Sequence, residues 1–230
     1  EHTFKTLESL KFNQLAKESN LIIFSDFPRS DDEQHNVNIV REIISGLDGY
    51  FLSVEIIFRE QNFGLAKNIQ EGISYVLSKY DSVIVLEDDL VTSPYFLNFM
   101  NDALAKYKCI PKIWHISGWN YPIDTIGFDE TFFWRTMNCW GWATWKDRWL
   151  HYEKNPELLV NTWTKKEILQ FNLDGAHNFW SQVRDNYNGK INTWAIFWYA
   201  TIFKNNGLCL NPSKTYVVNI GHDGSGENCG

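Results

Sequence analysis

Val83-Ile84-Val85-Leu86-Glu87-Asp88-Asp89 is the stretch that decides the fold. Four apolar residues, three of them β-branched, make a short buried strand, and three carboxylates follow at once. Open α/β sheets place ligands at such strand ends. Acids crowded at one point repel, so the cluster asks for a positive partner, and a divalent cation with oxygen ligands is the simplest. The same three residues also make a solvated turn leading into a helix N-terminus.

Working outward, apolar spacing predicts helices over 3–18, 36–47, 65–80 and 95–107. Strands are expected at 21–24 and 54–58, the latter running into Arg59-Glu60-Gln61-Asn62-Phe63-Gly64. This alternation predicts a mainly parallel sheet with helices on both faces. Right-handed crossovers put every strand's C-terminal end on one side, so Asp26, Arg59–Gly64 and Glu87–Asp89 are expected along one edge. The pattern opens on a helix, whereas a doubly wound sheet usually opens on a strand, so an additional N-terminal strand is expected.

The second half is less regular. Strands are expected at 113–117 and 131–136, and helices at 141–150, 164–171, 176–187 and 194–204. A glycine-rich loop is expected at 219–226. No clean boundary separates the halves. The expectation is one domain over 1–230, with a ligand-binding half (1–110) and a Trp-rich half (111–230).

Composition narrows the function. The 230 residues are 44% hydrophobic and 21% charged, enough for a sizeable core. A net charge of −7 argues against a nucleic-acid binder, though not against a nucleotide held through a metal. The four cysteines (109, 139, 209 and 229) form no CxxC pair. With no apolar run long enough to span a bilayer and no signal peptide, a cytoplasmic protein, peripheral to the membrane at most, is expected. All eleven tryptophans lie from 114 to 198, where they serve the core or grip ring-shaped ligands.

Several segments together resemble the GT-A glycosyltransferases. The resemblance covers residues 20–205. It is closest to the enzyme that adds N-acetylglucosamine to start complex N-glycans, and to bacterial family 2 sugar transferases. Glu87-Asp88-Asp89-Leu90 with Tyr95-Phe96 resembles the family's acid motif and its aromatic pair. Trp114-His115-Ile116-Ser117-Gly118-Trp119-Asn120 resembles its Ser-small-Trp-Asn strand. Cys139-Trp140-Gly141-Trp142-Ala143 resembles its Gly-Trp turn, and Asn62-Phe63-Gly64-Leu65-Ala66-Lys67-Asn68 a segment common in family 2.

The resemblance implies a Rossmann-like GT-A sheet and a transferase moving a sugar from a nucleotide-sugar donor, UDP-sugar favoured, to a saccharide or lipid-linked acceptor in polysaccharide or glycan assembly. It implies Mn²⁺ or Mg²⁺ on Asp89, with His222 as a further ligand. Asp88 and Glu87 are placed near the ribose, the metal's waters or the donor sugar. Asp26 is placed at the base, Arg59 near the diphosphate, and Asn62 and Gly64 in the donor loop. Trp119, Asn120, Trp140 and Trp142 are expected to shape the donor-sugar and acceptor pockets. An inverting transferase also needs a general base. The matching segment, Thr193-Trp194-Ala195-Ile196-Phe197-Trp198, has no acid, which leaves Asp223, Asp124 and Asp185. Two other readings stay open: a sugar nucleotidyltransferase, and a non-catalytic sugar- or nucleotide-binding module.

Overall fold

The computed structural model describes residues 1–224. Of the expected features, Ser225 and Gly226 of the glycine-rich loop and Cys229 lie outside the described residues. In chain order the elements are α1 (His2–Lys11), β1 (Asn20–Ser25), α2 (Gln34–Ser45), β2 (Ser53–Phe58), α3 (Gly64–Lys79), β3 (Ser82–Val85), β4 (Leu90–Thr92) and α4 (Phe96–Tyr107). There follow β5 (Ile113–Ser117), β6 (Thr131–Trp134), β7 (Trp142–Trp145), α5 (Lys146–Trp149), α6 (Pro156–Thr162), α7 (Lys165–Phe171), α8 (Trp180–Tyr187), α9 (Ala195–Lys204), β8 (Leu208–Pro212) and β9 (Val217–Asn219).

The architecture is the mixed α/β, Rossmann-like arrangement of the GT-A fold. β1 and β2 pair in parallel, from Asn20 opposite Ser53 to Ser25 opposite Phe58. A five-stranded sheet has the order β3-β7-β5-β8-β6. β3, β5 and β8 run one way, while β7 and β6 run against them. β4 and β9 form a separate antiparallel ribbon. No described helix is long and apolar enough to cross a membrane.

The segment 141–150 was expected to be helical and is not. Trp142–Trp145 is a strand held on both sides by β3 and β5, and only the short α5 follows it. All four of its residues are buried, and alternation sends Trp142 to one face and Trp145 to the other. Pairing on both edges fixes the extended backbone regardless of local preference.

That alternation also divides the core. On one face Trp142 packs with Trp149, Trp194, Trp198 and the buried side of α3. On the other, Trp145 packs with Leu104, Met100 and α1, and donates its indole N–H to the Leu104 carbonyl at 3.2 Å. Most of the tryptophans between 114 and 198 are therefore core.

Candidate active site

Two corners and an aromatic wall make up the site. The first corner joins the ends of β1 and β2 to the start of α3. Asp26 Oδ1 accepts from the Phe27 and Phe63 backbone N–H groups, both at 2.9 Å, and Oδ2 accepts from the Gly64 N–H at 2.9 Å. Asp26 is thus an N-terminal cap for α3 supplied from another loop, satisfying N–H groups the helix leaves orphaned. Gly64 has φ +68°, which favours glycine, so the turn itself calls for this residue. Asn62 Nδ2 donates to the Phe27 carbonyl at 2.5 Å and ties the two loops together. Arg59 lies between the Phe24 and Phe63 rings and donates from Nε to Asn68 Oδ1 at 3.0 Å. Its Nη2 is buried without a partner.

Asp26→Ala strands three backbone N–H groups at once. The expected cost is about 2 kcal/mol in urea unfolding, with faster amide exchange at Phe63 and Gly64.

The second corner follows β3. Leu86 and Glu87 lead into a turn that returns as β4. Thr3 Oγ1 donates to Asp88 Oδ2 at 3.0 Å, and Thr6 Oγ1 donates to the Asp88 carbonyl at 2.9 Å, so the start of α1 braces this turn. Asp88 is exposed and Asp89 half-buried. The β4–β9 ribbon brings the tail across Asp89. Ile220 N–H donates to the Asp89 carbonyl at 2.8 Å, and Asn219 Nδ2 donates to Asp89 Oδ2 at 3.3 Å. A Cβ at Gly221 would sit 2.2 Å from that oxygen, so any larger residue there would displace the Asp89 carboxylate. The other oxygen, Asp89 Oδ1, is buried with no partner.

Two of the three acids are shifted by burial and by their neighbours' charge. Burial, then the Asp89 and Asp88 charges, push the Glu87 carboxyl up to about 8. Burial and the Asp88 charge also raise Asp89. The thiol of the half-buried Cys139 close by is raised by its loss of solvent and then by the Glu87 charge. Glu87 therefore carries a proton at neutral pH in the ligand-free protein. Its folded-state pKa lies above its unfolded value of 4.5, so folding takes up a proton between those values. The resulting stability is complete below pH 4.5 and is lost as pH rises through about 8. Thermal unfolding at a series of pH values should show a loss approaching about 1.4 kcal/mol per pH unit from this group. Glu87→Gln should remove that component.

The wall meets the tail one residue past its contact with Asp89. Trp119 and Trp140 meet edge to face at 4.6 Å, and the exposed His222 ring stands 5.2 Å from Trp140. Both indoles are half-buried, as a ligand-facing wall requires. Asn120 is buried, with both side-chain amide atoms unpartnered. Leaving a buried amide unsatisfied costs about 1–3 kcal/mol, so something polar has reason to meet it. Trp142, expected in this pocket, is not there. It is fully buried, stacked on Trp194 at 5.3 Å and on His115 at 5.1 Å, because its strand position points it into the core.

The base candidates separate. Asp223 belongs to the site edge, with Oδ2 2.9 Å from His2 Nε2. Asp124 is exposed in the loop before β6 and accepts from the Ile126 N–H. Asp185 is on α8 facing Lys190 at 3.4 Å. Trp194, before Ala195, is buried against Trp142, so the start of α9 is core.

Among the described residues no three His, Cys, Asp or Glu side chains converge as a metal cage. The unpartnered Asp89 Oδ1 fits a different arrangement, in which one carboxylate holds an ion that completes its shell with substrate phosphates and water. Sequence reasoning missed Thr3 and Thr6. Asn219 and Gly221 belonged to the noted glycine-rich tail and Cys139 to the Gly-Trp turn, but what they touch depends on pairings between segments far apart in sequence, 130 residues for Asn219 and Asp89, which local pattern does not encode.

The family model described as glycosyl transferase family 2 matches residues 5–147. No curated protein matches the chain.

Proposed function

Because the chain belongs to glycosyl transferase family 2, we propose that it moves a sugar from a nucleotide-sugar donor, a UDP-sugar above others, to a saccharide or lipid-linked acceptor in a metal-dependent reaction. The observation that carries the proposal is the buried, unpartnered Asp89 Oδ1, crossed at Gly221 by the tail whose His222 meets Trp140 of the half-buried Trp119–Trp140 pair. A carboxylate lacking a partner there favours a cation, and indole faces suit the C–H faces of a pyranose.

In this reading Asp89 supplies the protein's oxygen to Mn²⁺ or Mg²⁺, with His222 on the same rim as the second candidate ligand. The ion, when bound, offsets negative charge growing on the nucleoside diphosphate as the glycosidic bond breaks. Asp88 and Glu87 face the ribose and sugar side. Arg59 Nη2 and the Asp26–Asn62–Gly64 corner hold the nucleotide end. Asn120 supplies hydrogen bonds to sugar hydroxyls. Asp223, oriented by His2, takes the acceptor proton. The likeness to the N-acetylglucosamine-adding enzyme makes an N-acetylhexosamine the first sugar to try, ahead of a plain hexose.

A second reading, a non-catalytic sugar-nucleotide binder, draws on the start of α9, where Trp194 is core and Ala195 offers no acid. Incubation with UDP-, GDP-, dTDP- and CMP-sugars, with and without Mn²⁺, separates the two by release of nucleoside diphosphate. Metal-dependent release from one donor class is expected. Tight binding with no release under any condition would favour the binder.

A further inference from the structure

α4 packs chiefly on β5 and β7, so the sheet margin beyond them, β8 and the edge strand β6, keeps an uncovered strip. Phe133 lies opposite Leu210 across the β6–β8 pair, and such partners point to one face. Leu210 is buried in the cluster beneath α4, which identifies the face as the one α4 covers. Phe133 shares that face yet is 45% exposed, because α4 reaches it only through Tyr107, edge to face at 5.4 Å.

The strip is a groove of about 470 Å³, within the range of small-ligand sites (about 300–1,000 Å³). Tyr95, Asn98, Phe99, Asp102 and Lys106 make one wall, following one face of α4 from its N-cap residue. Glu130 and Thr131 begin the other wall, and Leu210 lies in the floor. Tyr216 joins the groove stacked on Phe99 at 4.6 Å.

Three acceptors in this groove lack a protein partner. The Asn98 amide oxygen is buried, and no described donor reaches it. A buried acceptor left unsatisfied is costly, so a donor from outside the chain is favoured there. Asp102 and Glu130 are exposed, and no described cation pairs with either carboxylate. Lys106, 5.3 Å from the Tyr107 ring centre, offsets part of their charge. Tyr95 is 56% exposed and meets no other described ring, so its ring is open to a ligand.

A ligand suited to this groove brings hydrogen-bond donors to spaced acceptors and C–H faces to aromatic rings, with no strong charge of its own. A chain of neutral pyranose units does all three. A cationic peptide answers the carboxylates but meets Lys106. An apolar helix leaves Asn98 unanswered.

We propose that the groove between α4 and the β8–β6 margin binds a neutral oligosaccharide, at a site separate from the Asp89 corner. Tyr216 runs directly into β9, whose end meets Asp89, so the groove lies one short strand, about 10 Å, from that corner. The groove binds without taking part in any sugar transfer, and it stands on its own chemistry rather than on the transferase reading.

The test follows backbone amide shifts by NMR as chitotriose, cellotriose or mannotriose is added to the chain, with no nucleotide or metal present. At least one trisaccharide should shift amides of 95–107, 130–131 and 216, with a Kd of about 1 mM or below. Tyr95→Ala combined with Asp102→Ala, both at exposed positions, should weaken that binding at least about tenfold and leave the urea midpoint unchanged. Trp140→Ala should leave it intact. Silence of the groove amides with all three trisaccharides would overturn the proposal. So would binding lost in Trp140→Ala but kept in the double variant, which would place the sugar at the aromatic wall. Trilysine shifting the groove where no trisaccharide does would overturn it in favour of a cationic peptide. Groove shifts that depend on protein concentration without sugar would do so in favour of a second copy. A chain that transfers sugar with a silent groove loses this proposal alone, and one that binds in the groove without transfer loses only the transferase reading.

Discussion

Asp89→Asn lowers sugar transfer by about 10²–10³-fold at saturating donor, the range found when a group stabilising developing negative charge is removed. Asparagine preserves the shape and can still accept from Asn219, so the tail should keep its course over Gly221. What disappears is the charge. The unpartnered oxygen no longer favours a cation, and the leaving diphosphate loses its counter-charge. Removing that charge also relieves repulsion with Asp88, so the ligand-free variant should unfold at the same temperature as the parent or slightly higher. Steady-state turnover together with calorimetric unfolding checks both halves. A variant that loses activity by unfolding would show a lower midpoint, the opposite of what is expected.

Trp142→Ala has the largest expected effect on stability, about 3–5 kcal/mol in urea unfolding. Its indole is fully buried among Trp149, Trp194, Trp198 and His115, and no surface loop can collapse into the space it leaves. His115 donates and accepts through fixed partners, the Asn138 carbonyl at 3.0 Å and the Trp198 indole N–H at 3.2 Å. Burial pushes its pKa down to about 3, so it stays neutral and cannot adapt by gaining charge. Trp142→Phe should recover much of the loss, because it refills the face and removes an indole N–H that has no partner. Trp140→Ala is the contrast. That half-buried ring borders Trp119 and His222, so its loss should cost under about 1 kcal/mol while raising the KM for the sugar substrate. Two adjacent motif tryptophans thus separate into core and site.

The first half, residues 1–110, was largely legible because its signals are local. Helical spacing fixed α2, α3 and α4, and the apolar run before Glu87 fixed β3. The convergence of Asp26 with Asn62–Gly64 followed from strand direction, but the job of Asp26 did not. A carboxylate at a strand end looks the same whether it meets a ligand or three backbone N–H groups. The second half was harder for the same reason in larger measure. Trp142–Trp145 is a strand because β3 and β5 flank it, and the β4–β9 ribbon exists because Leu90 faces Asn219. These pairings join residues far apart in sequence, and they are what bring Asn219 and Gly221 to Asp89 and His222 to Trp140.

The central claim is that the Glu87–Asp89 corner holds a nucleoside diphosphate through a cation on Asp89. Titrating UDP into the protein by calorimetry, with and without Mn²⁺, in the parent and in Asp89→Asn, tests it most directly. UDP should bind the parent at least about tenfold more tightly with Mn²⁺ present, a coupling of roughly 1.4 kcal/mol, and the variant should lose that gain. Equal Mn²⁺ enhancement in both proteins would contradict the account.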